Sequence, residues 1–487
     1  MCYGQCMKVG TLVLLSAFVA VSVALGACKK SANKGDDDDG IGTPNRGAKD
    51  TAPTASGAPA ADGTISWIED DYAGALAKAK TQDKPLVIDM WAPWCHTCLS
   101  MQHTTMVDDG LKAMAGRFVW LELNTDKATN AEVLARFRVE VWPTYFIVSP
   151  DSEAIQARFQ GAASVKQFRE FLVQGEKGHR EARAAAGKLT RNSVGWTVRA
   201  GDQAAVAGDY EAAAVAYGSA LGKAPRDWAR TADVLVAKIT ALTRAKAWTR
   251  CGDLAVESAD KIRIGNTASA ADFAYYANAC ADKLVDRSRA DLVRRRMMES
   301  IDRVLQAPDA ALSMDDRSEA LRIQREIAIA LKQDERAVRL AERQRAVLDE
   351  AAAAARTPLE AMTYNWPRAE VYAYLGISDE LVADLKKSVQ DLPNQYDPPH
   401  RLAWIYSKIG KHDEALEMAD KALALVSGPR KALIQSLIAD IHEARGDLAS
   451  AKKALEVVVD IYENLPEGQR NQSALDKARK KLEQPPQ

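Results

Sequence analysis

Cys95 and Cys98 stand three positions apart in "WAPWCHTC", residues 91–98. Thiols at that spacing can bond to each other and trade electrons with a second disulfide, or they can supply half the ligands of a metal. The metal option needs two more ligands. His96 sits between the thiols, His103 is the next histidine along, and no second CxxC or HxxxH follows, so no metal is expected. His179, His400, His412 and His442 are isolated, which sets aside a Cys-His protease, and phosphate-cradling loops and G-x-S-x-G elbows are absent. Thiol–disulfide exchange is the chemistry left.

The pair has to be held at a defined place. The run "PLVIDMW" ahead of it reads as a central strand, apolar on both faces except for Asp89. A helix is expected from about 95 to 114, which puts the Cys95 sulfur against unpaired backbone N–H groups and the positive end of the helix dipole. Both favour the thiolate. Cys98 lies one turn further in, shielded, and is placed to attack a mixed disulfide formed at Cys95. Asp89 is costly in an apolar strand unless it has a task or a partner. It is either the proton acceptor for Cys98 during resolution or a satisfied buried carboxylate.

Around this point the pattern alternates. Helices are expected through "DDYAGALAKAK", "NAEVLARF" and from about 164 to 175 or beyond, with strands at "PLVIDMW", "FVWLELN", "TYFIVS" and "AIQARFQ". One crossover per parallel pair and a final hairpin make a single mixed sheet with helices on both faces. That is the α/β order of a thioredoxin fold, assigned to residues 64–178.

"VIDMWAPWCHTCLSM", "TTMVDD", "WLELNTD" and "VWPTYFIV" together resemble the periplasmic C-terminal domain of the DsbD family of thiol:disulfide interchange proteins, over roughly residues 64–175. The resemblance implies a protein-disulfide reductase whose redox centre is the Cys95–Cys98 disulfide, with no other cofactor. It also implies that Pro143 belongs to a cis-proline loop, that the proline keeps metal off the thiols, and that Trp94, His96, Thr97, Trp142 and Pro143 line the client groove. Trp142 is equally suited to plain packing. Two residues depart from the pattern. An imidazolium at His96 would stabilise the reduced form and make the pair more oxidising. Glu122 stands where many thioredoxins carry a lysine, so two acids would lie close and Asp89 would be pushed up.

The N-terminus reads as a secretory signal: a lysine, an apolar run over 9–25, and small residues before Cys28, with Met7 the expected start. "LGAC", 25–28, resembles a bacterial lipobox, so residues 1–27 are expected to be removed and Cys28 to carry acyl chains; the alternative is an ordinary cleavage site. Residues 28–63 are rich in Gly, Pro, Ala, Ser, Thr and Asp and are expected to be a disordered tether. Their run of four aspartates lacks the spaced ligands of a calcium loop.

From 180 to 487 strand signals stop and alanine-rich helical periodicity takes over. Gly208, Gly410 and Gly446 fall where two helices turn, and Ala213, Ala415 and Ala451 follow five positions later. These stretches resemble tetratricopeptide repeats. The region between them, 227–393, is looser and broken by Pro358, Pro367 and Pro393, and one continuous all-α solenoid is expected, with a concave face for a protein partner. Cys251 and Cys280 suit buried thiols or, in an exported chain, a bridge between adjacent helices.

Length, 487 residues, requires more than one core, and a net charge of −1 leaves no basic footprint for nucleic acid. The reading is a lipid-anchored oxidoreductase on the periplasmic side of a bacterial envelope, meeting the membrane only through its N-terminal lipid. It acts on protein clients with disulfides or thiols and exchanges electrons with a membrane thiol donor or acceptor. The rival is an envelope scaffold in which the thioredoxin fold grips peptide without redox turnover.

Overall fold

The computed structural model describes residues 64–184 and 193–483. The expected signal peptide, the tether and Cys28 lie outside the described residues.

The sheet has five strands, β1 Trp67–Glu69, β2 Leu86–Trp91, β3 Val119–Asn124, β4 Thr144–Val148 and β5 Ile155–Gln160, in the order β1-β3-β2-β4-β5. β1, β3 and β2 run parallel, while β4 and β5 are antiparallel. Side chains alternate across β2. Leu86, Ile88 and Met90 pack with Ala75, Ala79 and Leu134 from α1 (Tyr72–Gln82) and α4 (Ala131–Arg136). Val87 faces α2 (His96–His103), α3 (Asp109–Ala115) and α5 (Val165–Ala184), alongside Trp120 and Tyr145. Asp89 shares that second face by register, and this is the mixed, doubly covered sheet expected of a thioredoxin fold.

Two local expectations are corrected. β1 was not foreseen; it is three residues long and pairs only with β3. The helix expected over 95–114 is broken: α2 ends at His103, a 3-10 turn follows at Thr105–Val107, and Asp108 then caps α3 by accepting from Gly110 N–H at 2.7 Å. An aspartate that can satisfy orphan N–H groups starts a new helix more readily than it continues an old one.

The described residues 193–483 form helices only, apart from short 3-10 turns and one isolated bridge. Gly208, Gly410 and Gly446 sit at φ +81°, +76° and +83° between Val194–Val206 and Tyr210–Lys223, Asp397–Lys408 and His412–Ala424, and Pro429–Ala444 and Leu448–Asn464. Only glycine reaches that region cheaply, which is why these turns could be read from sequence. Ala213, Ala415 and Ala451 are buried where each pair closes. Pro358 opens a short helix at its first position, Pro367 lies in the first turn of Asn365–Leu375, and Pro393 follows Val382–Asp391, all places where a missing N–H costs little. Cys251 and Cys280 are bonded, joining Trp248–Glu257 to Ser269–Lys283.

The helical array turns back onto the sheet. β5 is an edge strand, and its exposed backbone would otherwise offer a template for pairing. Asp202 accepts from Arg158 N–H at 3.1 Å and Arg230 donates to the Arg158 carbonyl at 3.2 Å, so helical side chains cap the edge. Gln167 of α5 donates to Ser269 at 3.0 Å. No helix of the described residues is long and apolar enough to cross a membrane.

Candidate active site

β2 delivers the chain to Trp91, three residues turn it, and Cys95 becomes the N-cap of α2 with extended backbone, φ −87° and ψ 101°. Its sulfur accepts from Cys98 N–H at 3.0 Å, one of the orphan donors at the helix start. The two sulfurs are joined as a disulfide. The helix-start environment expected for Cys95 is therefore in place.

The pair is enclosed. Cys95 is 0% exposed and Cys98 1%. Ala92, Trp94, Cys95 and Cys98 form one apolar cluster with helical-array residues that include Leu348, Ala369, Leu402 and Ile405. Helical-array residues thus cover the redox loop.

Polar contacts fix that arrangement. His96 Nδ1 lies 2.7 Å from Asp315 Oδ1, across 219 positions of sequence, and both side chains are buried. Ser100 donates to Ser313 at 3.1 Å. The Arg430 guanidinium stacks over the Trp94 ring, 4.4 Å from its centroid, with its Nε 3.6 Å from Asp126 Oδ2. Gln469 donates to the carbonyls of Thr125 and Lys127, each at 2.9 Å. Gly428, at φ +57°, meets the Asp126 carbonyl so closely that a Cβ there would collide with it. Trp142 is half-buried, 5.3 Å from Trp94 between ring centroids, and donates to Thr125 Oγ1 at 2.9 Å. The Trp142–Pro143 bond is cis, and Thr97 is buried in the first turn of α2.

Behind the pair, Asp89 is buried, and its Oδ1 makes no hydrogen bond. Burial first, and the Glu122 charge second, push its carboxyl well above the usual range. Glu122 faces it in register across β2 and β3 and is itself raised to about 7, by burial and then by Glu69 and Asp70, against the pull of Lys127. The repulsion foreseen between Asp89 and Glu122 is there, as the lesser cause. Tyr145, paired with Asp89 across β4, was missed; its hydroxyl makes no hydrogen bond and burial raises it.

A carboxyl raised on folding has a definite stability signature. Between the unfolded value near 4.5 and about 7 the native state holds the Glu122 proton that the unfolded chain has lost, so stability falls as pH rises through that window. Glu122→Gln is expected to leave stability unchanged near pH 4.5. At pH 8 it should add about 1–2 kcal/mol, the partial solvent exposure of the group having been allowed for. Urea midpoints of the two proteins at both pH values check this, and equal midpoints at pH 8 would exclude the strain.

Comparison with known proteins agrees with this geometry. Residues 67–150 match the thioredoxin-like family model and residues 400–426 a tetratricopeptide repeat model. Thiol:disulfide interchange protein DsbD of Pseudomonas fluorescens is 30% identical over 106 residues, covering 21% of this chain and 18% of that protein. Thioredoxin M4, chloroplastic, of Arabidopsis thaliana is 36% identical over 70 residues, 14% of this chain and 34% of that protein. The chain thus spans less than a fifth of the length of the first of these relatives. A solved tetratricopeptide repeat protein from Parabacteroides merdae overlaps 60% of this chain and 99% of its own, at 13% identity and a TM-score of 0.38.

Proposed function

We propose that this thioredoxin-like module, with its DsbD-like relatives and its attached repeats, is an exported, lipid-anchored thiol–disulfide oxidoreductase of the reductase type. The observation that carries the reading is Cys95 at the N-cap of α2, bonded to Cys98, with the raised carboxyl of Asp89 in the strand behind.

In the reduced protein the Cys95 thiolate attacks one sulfur of a client disulfide; a Cys95–client bond forms and the other client sulfur leaves as a thiolate, which takes up a proton. Cys98 gives its proton to Asp89 and attacks Cys95, releasing the second client thiolate and re-forming the internal disulfide. The client gains two electrons and the pair loses them. A membrane thiol donor restores the dithiol. Trp94, Thr97, Trp142 and Pro143 would present the client backbone, and a protein partner would engage the repeats. A net charge of −1 offers nucleic acid no footprint, and the periplasmic envelope, with Cys28 as the acylated residue, is the location in keeping with the DsbD relatives. Since Cys95 is 0% exposed, exchange requires that the helical cover part first.

That burial also favours a second reading, a scaffold whose disulfide is structural. A redox titration of the full chain against glutathione, with Cys95→Ser as control, separates the two. A Cys95-dependent two-electron transition near about −270 mV marks a reductase, and one at about −120 to −180 mV an oxidase or isomerase. No such transition over the range leaves the scaffold.

A further inference from the structure

The geometry points to Asp315, a residue of the helical array, as a positioning residue of the redox pair, acting through His96; this rests on the oxidoreductase reading above.

Asp315 occupies the second position of the Met314–Ala330 helix, but that helix does not need it as a cap. Ser313 Oγ accepts from Asp316 N–H at 3.1 Å and Asp316 Oδ2 accepts from Ser313 N–H at 2.8 Å, a complete capping box. Asp315 is 1% exposed, its Oδ2 makes no hydrogen bond, and its Oδ1 lies 2.7 Å from His96 Nδ1. Three other carboxylates act electrostatically on His96: Asp316 and Glu319 from the same helix and Asp397 from Asp397–Lys408. Each is taken by a neighbour of its own. Asp316 is held in the capping box, Glu319 by Arg322 at 2.6 Å, and Asp397 by Arg401 at 2.6 Å. Asp315 is the carboxylate left for the imidazole.

A carboxylate on Nδ1 fixes the tautomer and orientation of the ring and supports positive charge on it. His96 follows the N-cap Cys95 directly. On reduction the Cys95–Cys98 bond breaks, two electrons arrive from two glutathione thiols that leave as glutathione disulfide, one of their two protons ends on Cys98 and the other is released to solvent, and Cys95 remains a thiolate beside the supported imidazolium. The dithiol form is thereby favoured. Asp315 touches none of the reacting atoms and acts only through the ring, so the potential of the pair is set jointly by the sheet domain and the helical array.

The test is the glutathione equilibrium of the full chain at pH 7 for four proteins: wild type, Asp315→Asn, His96→Gln and the double variant. Asp315→Asn is expected to shift the equilibrium about tenfold toward the disulfide, which is about 30 mV. His96→Gln should shift it in the same direction, and the double variant no further than His96→Gln. An unshifted Asp315→Asn overturns the inference. So does a tenfold Asp315→Asn effect that persists on the His96→Gln background, because the carboxylate would then act by loosening the fold or on the sulfur directly. Should Asp315→Asn fail to fold, judged by its urea transition, Asp315→Ser takes its place in the same cycle, and an equilibrium unshifted by Asp315→Ser overturns the inference. A wild type without any Cys95-dependent transition would instead overturn the oxidoreductase reading itself.

Discussion

Cys95→Ser is expected to lower the rate of client-disulfide reduction by at least about a thousandfold, because no other thiol of the described residues combines a helix start with a resolving neighbour. Cys98→Ser should behave differently. Its Cys95 can still form the bond to a client, but nothing displaces it, so a mixed disulfide accumulates that is visible as a mass shift on non-reducing gels. Insulin reduction and gel mobility measure the two effects. If Cys95→Ser retains activity, or Cys98→Ser traps nothing while turnover is normal in wild type, the division of labour between the sulfurs is wrong.

The second large effect concerns access. With Cys95 sealed beneath the array, the rate at which an external phosphine reduces the disulfide follows the population of an opened state. Arg430→Ala removes the cation–π contact with Trp94 and the ion pair with Asp126, together about 2 kcal/mol, and so should raise that rate roughly thirtyfold. Gly428→Ala works as a wedge. Its new Cβ collides with the Asp126 carbonyl, on a backbone at φ +57° that side chains avoid, at a cost of about 1–3 kcal/mol. Both variants are read at a urea concentration far below their global transitions, so that local opening is what is compared. A rate unchanged in both would mean that the helical cover is not the barrier.

What could be read from the sequence is what local chemistry encodes. The CxxC pair, the lone acid of β2, the Trp142–Pro143 step and the turn glycines at 208, 410 and 446 each carry a residue-type requirement that no substitute meets cheaply. β1 escaped because three residues are too few to show a period, and the break after α2 escaped because Asp108 was counted as a helical residue when it is a cap. The cover escaped for a different reason. Asp315, Arg430 and Gln469 lie hundreds of positions from Cys95, and each looks like an ordinary residue of an amphipathic helix or its cap. A contact between distant segments leaves no periodicity in either of them, so the burial of Cys95 was legible only once both were placed together. Glu122 beside Asp89 was legible because strand register puts the two side by side.

The apolar cluster that holds Trp94, Cys95 and Cys98 together with Leu402 and Ile405 makes the repeats and the sulfurs parts of one thermodynamic cycle. Any difference in docking free energy between disulfide and dithiol is returned, equal in size, as a dependence of the potential on docking. On the oxidoreductase reading proposed above, loosening the repeats would shift the potential of the pair, and reducing the pair would change how firmly the repeats are held.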